Sequence, residues 1–277
     1  MITSLRSIVH RLIREEFKRL REAQFEELQD VCSTSGSTHE MNMCMKGGKK
    51  YFLKFPNENP FATHDVSLQT LVEFLSYSIY GLYTGVSIPE FELVYHKGAQ
   101  RVGLITSPAK GKQMARRVDN IENFAMGLSA GIYVDVLLAN WDAAGTGNSF
   151  YDDETGIATR IDPGGALTYR AQGSRKGDKF SDEASELHSM LSTSFGGSGK
   201  VYQYSDLKLA ADTFLSVSWG AIESKINTVQ EEVSKELKDM NQSEIQSQWV
   251  GEVAEIKSKL KARHAKVKEH AEATLRA

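Results

Sequence analysis

Cysteine is scarce in this 277-residue chain: Cys32 and Cys44 form no Cys-x-x-Cys pair and no Cys/His cluster. That rules against a zinc site or a disulfide framework and suits a reducing compartment. Long apolar runs are missing too; none approaches the eighteen or so residues of a membrane-crossing helix, so no transmembrane segment is expected. A large excess of either charge is also missing: 33 Lys/Arg against 36 Asp/Glu leave a formal net charge of −3 and a pI of about 6.2, so nothing global points to nucleic acid or an anionic membrane. What is present is an ordinary globular composition, 40% hydrophobic and 25% charged, with ample length for one or two cores. The N-terminal stretch has acidic Glu15 and Glu16 and no apolar signal core. It does not read as an export or transit peptide, and a cytoplasmic location is expected.

Along the chain the pattern changes character several times. Residues 3–30 place Leu5, Ile8, Val9, Leu12, Ile13, Phe17 and Leu20 at mostly three- and four-residue spacing, an amphipathic helix with six Arg/Lys in its first 21 residues. Such a charge run most simply faces solvent. Two alternating runs, Met41–Met45 and Tyr51–Phe55, flank Lys46-Gly47-Gly48-Lys49, which signals a hairpin. Before it lies a flexible, hydroxyl-rich stretch, Ser33 to Thr38. Lys54 sits near the end of the second run. A helix follows with Leu68, Leu71, Val72, Leu75, Ile79 and Leu82 as its apolar stripe and Glu73 on a flank beside Ser76, Tyr77 and Tyr80. Strands are expected over 90–95 and 102–106, and then a largely apolar helix from Ile121 to Ala139. From Ser205 onward two long helices, joined near 239–242, carry apolar residues at alternating threes and fours. The last is polar enough to need a partner surface, from this chain or another.

Between these halves lies the stretch with chemistry in it, Leu138 to Leu167, where an apolar run stops at a polar, glycine-rich loop holding Asp142 and Asn148. The segment 149–161 reads as strand, turn, strand, and it leads into Asp162-Pro163-Gly164-Gly165. Transfer of a phosphoryl group from ATP requires an Asp to orient the accepting hydroxyl, and an Asn and a second Asp to hold magnesium against the phosphates. A Gly then lets the backbone turn. Asp142, Asn148, Asp162 and Gly164 match those roles in order. The loop between Asp142 and Asn148 contains no basic residue. Residues 168–179 beyond it, polar and basic, suit a mobile activation-segment equivalent or acidic substrate contacts.

Taken together, F-L-K-F around Lys54, the Glu73 helix, A-N-W-D…G-N and R-I-D-P-G-G-A-L-x-Y-R-A-Q-G resemble the atypical kinases related to actin-fragmin kinase, phosphoinositide 3- and 4-kinases and HipA-type kinases. The resemblance covers roughly residues 33–195. It implies an α+β, bilobal protein-kinase-like fold: a small lobe over 31–107 with five strands and one helix, a larger, mainly helical lobe over 108–204, a helical leader over 1–30 and a helical extension over 205–277. It also implies ATP and magnesium as cofactors. Lys54, paired with Glu73, and the Ser35-Gly36-Ser37 turn would hold the phosphates; Asn148 and Asp162 would hold the metal, and Asp142 would be the catalytic residue. The expected activity is phosphorylation of a protein hydroxyl. The alternatives are a nucleotide-binding pseudokinase or scaffold acting through its helical ends, and a lipid or small-molecule kinase. Self-association or partner docking through the C-terminal helices is the expected mode of assembly.

Overall fold

The computed structural model describes residues 33–35, 40–46, 49–55, 66–96, 101–113, 121–144, 147–170, 173–191 and 202–277. The amphipathic segment expected over 3–30, and Gly36 and Ser37 of the expected phosphate turn, lie outside the described residues. The protein is a mixed α/β, helix-rich chain of two compact units, Met1–Asn57 with Phe91–Pro108, and Glu58–Glu90 with Ala109–Ala277.

The first unit carries β1 (Ser33–Ser35), β2 (Glu40–Lys46), β3 (Lys49–Phe55), β4 (Phe91–His96) and β5 (Arg101–Thr106), joined in the order β1-β2-β3-β5-β4 with every pair antiparallel. Lys46 stands opposite Lys49. The β2–β3 connection is therefore two residues long, the connection that a Gly-Gly pair between alternating runs favours. Leu53, Leu93, Val102 and Leu104 are buried, and the cross-strand partners Leu93 and Leu104 face one another. Strand β3 is interior to the sheet, so Lys54, opposite Met41 on one side and Leu104 on the other, is not an edge lysine.

In the second unit, α1 (Val66–Tyr80) lies in sequence between strands of the first unit, and its side chains explain its membership. From Leu68 to Tyr80 every residue but Phe74 is buried, including the polar Gln69, Glu73, Ser76 and Tyr77. Such groups in a helix buried all round need partners: Ser76 donates to the helix's own Val72 carbonyl, and Gln69 and Tyr77 bond to loops of the same unit described below. A three-stranded antiparallel sheet follows the order β6 (Lys112–Gln113), β7 (Ser149–Asp152), β8 (Ile157–Arg160).

The single helix expected from Ile121 to Ala139 is two helices. α2 (Ile121–Leu128) gives way to a 3₁₀ turn, Ser129–Gly131, before α3 (Ile132–Leu137) resumes. The cause is tertiary. Ile132 N–H bonds to Ser129 rather than to Leu128, and the freed Leu128 carbonyl accepts from Arg160 Nη2 at 2.7 Å. A Cβ on Gly131 would stand 2.4 Å from Arg160 Cζ, so the guanidinium occupies the space that a side chain would fill. Tightening to 3₁₀ geometry at such an insertion is ordinary helix behaviour.

The C-terminal region contains α4 (Glu186–Ser189), α5 (Leu207–Leu215), α6 (Trp219–Asp239) and α7 (Ser243–Arg276). Ile222, Ile226, Val229, Val233 and Leu237 of α6 and Trp249, Val253, Ile256, Leu260, Val267 and Ala271 of α7 are buried, the stripes that the spacing marks out. Asn241, at φ 60°, makes the left-handed turn between the two helices. The partner surface that α7 needs lies within its own unit: Arg263 donates from Nε to the Leu137 carbonyl at 2.8 Å, and Tyr133 bonds to His270 at 2.8 Å. Among the described residues no helix is long and apolar enough to cross a membrane.

Candidate functional site

A buried polar hub lies beneath the polar loop. Asp135 of α3 accepts from Arg160 Nε at 2.7 Å and Nη2 at 2.8 Å, and from the Tyr80 hydroxyl at 2.7 Å. Asn140 Nδ2 donates to Tyr80 at 2.9 Å. Burial pushes the Asp135 carboxyl above its usual range while Arg160 pulls it back down; Asp135 in turn outweighs burial at Arg160 and holds its proton tighter than usual. Tyr80, desolvated and next to Asp135, has its hydroxyl pushed well above the ordinary phenol value. Asp135, Arg160 and Tyr80 each find partners within the cluster, as buried charged and hydroxyl groups require.

Two stretches of chain rise from this hub. One passes Asn140 to Trp141 and Asp142; the other passes Arg160 to Asp162. Ala139 at φ 51° and Leu167 at φ 53° are left-handed non-glycine residues, and the Leu167 amide donates to the Leu138 carbonyl at 2.6 Å, which ties the two stretches together. Conformations of that kind persist only where surrounding structure imposes them. Asp142 is half-buried. Trp141 before it donates from Nε1 to Glu186 at 2.9 Å.

Asp162 is exposed and itself left-handed, φ 50°. This corrects the expectation that Gly164 supplies the turn: Gly164 sits in the buried 3₁₀ turn Pro163–Gly165, and the reversal falls on the aspartate, a residue type that tolerates it. The Asp162 amide donates to the Tyr77 hydroxyl at 2.9 Å. Gln69 donates to the carbonyls of Gly164 and Arg170, each at 3.1 Å. Helix α1 thus grips the Asp162 turn with Gln69 and Tyr77 and the hub with Tyr80. Glu73 is buried, at 3% exposure, so it is not a solvated acid. Burial first, then the charges of Glu73 and Asp162, raise the Tyr77 hydroxyl well above its ordinary pKa, which places Glu73 within electrostatic reach of the same tyrosine.

Asn148 is half-buried at the start of the β7–β8 hairpin, and its carbonyl accepts from the Ile161 amide at 2.9 Å. The hairpin therefore brings the backbone of Asn148 alongside that of the residue before Asp162. A carboxylate and an amide oxygen, completed by substrate phosphates, form the sparse oxygen set that magnesium takes, so the residues fit that ion. Among the described residues no three or more His, Cys, Asp or Glu side chains gather as a metal cluster. Lys54 is half-buried in the first unit, where Ser35 ends β1.

After Leu167 the described residues, 168–170 and 173–179, bond to one another and to neighbouring elements of their unit. Tyr169 bridges Arg175 antiparallel, Arg170 N–H bonds to Ser174 at 2.7 Å and Lys176 N–H to Thr168 at 2.8 Å. Arg175 pairs with Glu252 of α7. Lys176, only 5% exposed, donates to the Ala139 carbonyl. The sequence pattern singled out Glu73 on α1 but gave no role to Gln69, Tyr77 or Tyr80, although together they form a polar row at four-, four- and three-residue steps.

No family model matches the chain, and no curated protein matches it. A crystal structure of the proinflammatory kinase CtkA of Helicobacter pylori is similar at a TM-score of 0.46 and 12% sequence identity, covering 86% of this chain and 94% of that one. A likeness of that size carries no argument about chemistry.

Proposed function

We propose that the chain is an ATP- and magnesium-dependent phosphotransferase acting on an alcohol, with a protein hydroxyl as the acceptor. One observation carries the reading. Asp142 and Asp162 each stand two residues beyond an anchor, Asn140 and Arg160, of the same buried hub. Two acids twenty residues apart in sequence are thereby carried on one buried base, the preorganisation that transfer chemistry requires.

Asp142 orients the acceptor hydroxyl and takes its proton as the phosphoryl group moves. Asn148 and Asp162 hold the metal. Lys54, with Glu73 as its acid, neutralises the phosphates, and the Ser35-Gly36-Ser37 turn wraps their oxygens. Bound magnesium supplies charge neutralisation on the phosphates. The lipid-kinase alternative loses ground because two of the four basic residues in 168–179 are engaged internally, Arg175 with Glu252 and Lys176 in the core.

The test is radiolabelled ATP with magnesium, incubated with the purified protein alone and with a host lysate. Label on the protein or on a lysate band, abolished by Asp142→Asn, is the expected result. The same substitution leaves the thermal shift by magnesium-ATP nearly unchanged, because Asp142 acts on the acceptor side. Lys54→Ala and Asp162→Asn remove that shift, which in the parent amounts to about 2.7 kcal/mol at a hundredfold excess over Kd. ATP binding with no label in any fraction would replace the enzyme by a nucleotide-binding scaffold.

A further inference from the structure

We infer that Lys176 is the positioning residue for Asp142, a cation supplied from the neighbouring segment to a loop that has none of its own. The inference rests on the phosphotransfer reading and deepens it. The Lys176 ammonium is buried and donates to the carbonyl of Ala139, the left-handed residue from which the Asn140-Trp141-Asp142 turn departs. It also lies 5.5 Å over the Trp141 ring. One side chain therefore touches the residue three before Asp142 and the residue immediately before it. Its own backbone is held by the bond to Thr168 and by Lys179 N–H donating to its carbonyl at 3.2 Å, so the ammonium is delivered from a fixed base.

The groups around it are a mixture. Glu186 of α4 and Asp142 favour its charge; Arg263 of α7 and Arg170 of its own segment oppose it, while Lys179 lies over the same indole at 5.6 Å. Burial dominates and lowers its pKa to about 7. A stabilising core residue at this place would be apolar, since a desolvated ammonium opposed by the charges of Arg263 and Arg170 costs folding energy. A cation here does have a use beside a carboxylate that must hold an acceptor hydroxyl against a phosphoryl group, where its charge offsets both anions and its bond fixes the turn.

A purely structural staple to the end of α3 makes a different prediction, and Lys176→Met separates the two. Transfer from radiolabelled magnesium-ATP to casein, to lysate protein and to the protein itself is followed at several ATP concentrations. In Lys176→Met the saturated rate is expected to fall about 10–100-fold with the half-saturating ATP within about twofold of the parent. The melting temperature is expected to hold or rise. Lys176→Arg keeps most of the rate. In the parent the rate declines as pH rises past about 7, where the ammonium loses its proton, and that decline is absent from Lys176→Met and Lys176→Arg.

An undiminished rate in Lys176→Met overturns the inference alone, as does a rate lost only in step with the melting temperature. Should Lys176→Met fail to fold, a basic decline that persists in Lys176→Arg, charged throughout, overturns it. A parent protein that transfers no label overturns the phosphotransfer reading itself and this inference with it, an outcome visible before any variant is made.

Discussion

Asp135–Arg160 and Glu186–Arg263 are both buried ion pairs of the second unit, 2.7 and 2.8 Å long, yet they are built on different plans. In the first, both carboxylate oxygens are taken by one guanidinium, Tyr80 adds a third bond, and a single carbonyl, that of Leu128, completes the set. In the second, Arg263 donates to the carbonyls of Leu137, Val136 and Ser181 and makes one bond to Glu186, which divides itself between Arg263 and Trp141. The electrostatics follow. Arg160 holds its proton tighter than a free arginine, whereas Arg263 is pulled below the ordinary value by burial that its partner does not fully offset. Asp135–Arg160, called the front pair because the stretches to Asp142 and Asp162 leave from its cluster, is a closed unit of two charges. The rear one is a staple for backbone carbonyls that happens to include a carboxylate.

Removing a carboxylate should therefore hurt the front pair more. Asp135→Ala strands a buried guanidinium with one carbonyl acceptor and is expected to cost about 3–5 kcal/mol in urea unfolding. Phosphate transfer should fail with it, because both acidic stretches share that anchor. Gly131→Ala sharpens the point without removing any charge: the new methyl would meet Arg160 Cζ at 2.4 Å and is expected to cost about 1–3 kcal/mol through overpacking. Glu186→Gln keeps its volume and one acceptor oxygen, leaves Arg263 its three carbonyls, and is expected to cost about 1–2 kcal/mol. If Glu186→Gln proves as costly as Asp135→Ala, the distinction between the pairs is lost.

What the sequence made legible follows the same division between local and tertiary causes. The β2–β3 hairpin could be read because Gly47-Gly48 between alternating runs is a local signal, and α6 and α7 because their apolar stripes repeat over many turns. The break at Ser129–Gly131 could not, since residues 121–139 continue an apolar pattern and the interruption comes from Arg160, remote in sequence. Asp162 stood out by its motif. Its backbone reversal did not, because the glycines after it were the more obvious turn residues. Glu73 drew notice as the acid on α1, and nothing marked Tyr77 and Tyr80 as more than aromatic flank residues until their hydroxyls were seen on Asp162 and Asp135. Lys176 was least legible: in a run reading Ser-Arg-Lys-Gly-Asp-Lys, no neighbour distinguishes a core lysine from a surface one.

The smallest expected effect is one of pH, and it acts on the rear staple. His264 neighbours Arg263 in sequence, and its ring lies 5.3 Å from that of Phe214 and 5.9 Å from that of Trp219; His270 bonds to the Tyr133 hydroxyl. Burial lowers both imidazole pKa values, with Lys268 adding to the effect at His264 against the Val217 backbone bond, and His188 adding to it at His270. A histidine whose folded pKa lies below its unfolded one binds protons less readily when folded. Stability is then independent of these groups above the unfolded value of about 6.5 and declines as pH falls below it, where the unfolded chain takes up protons first. Both residues lie on α7, so acid should loosen the docking of α7 while the front pair stays closed. Amide hydrogen exchange across this pH range is the measurement: protection along α7 should fall on acidification before protection along α3 does, and less so in His264→Phe. Simultaneous loss in both helices would mean that the two braces open as one, and the contrast between them would then have no dynamic consequence.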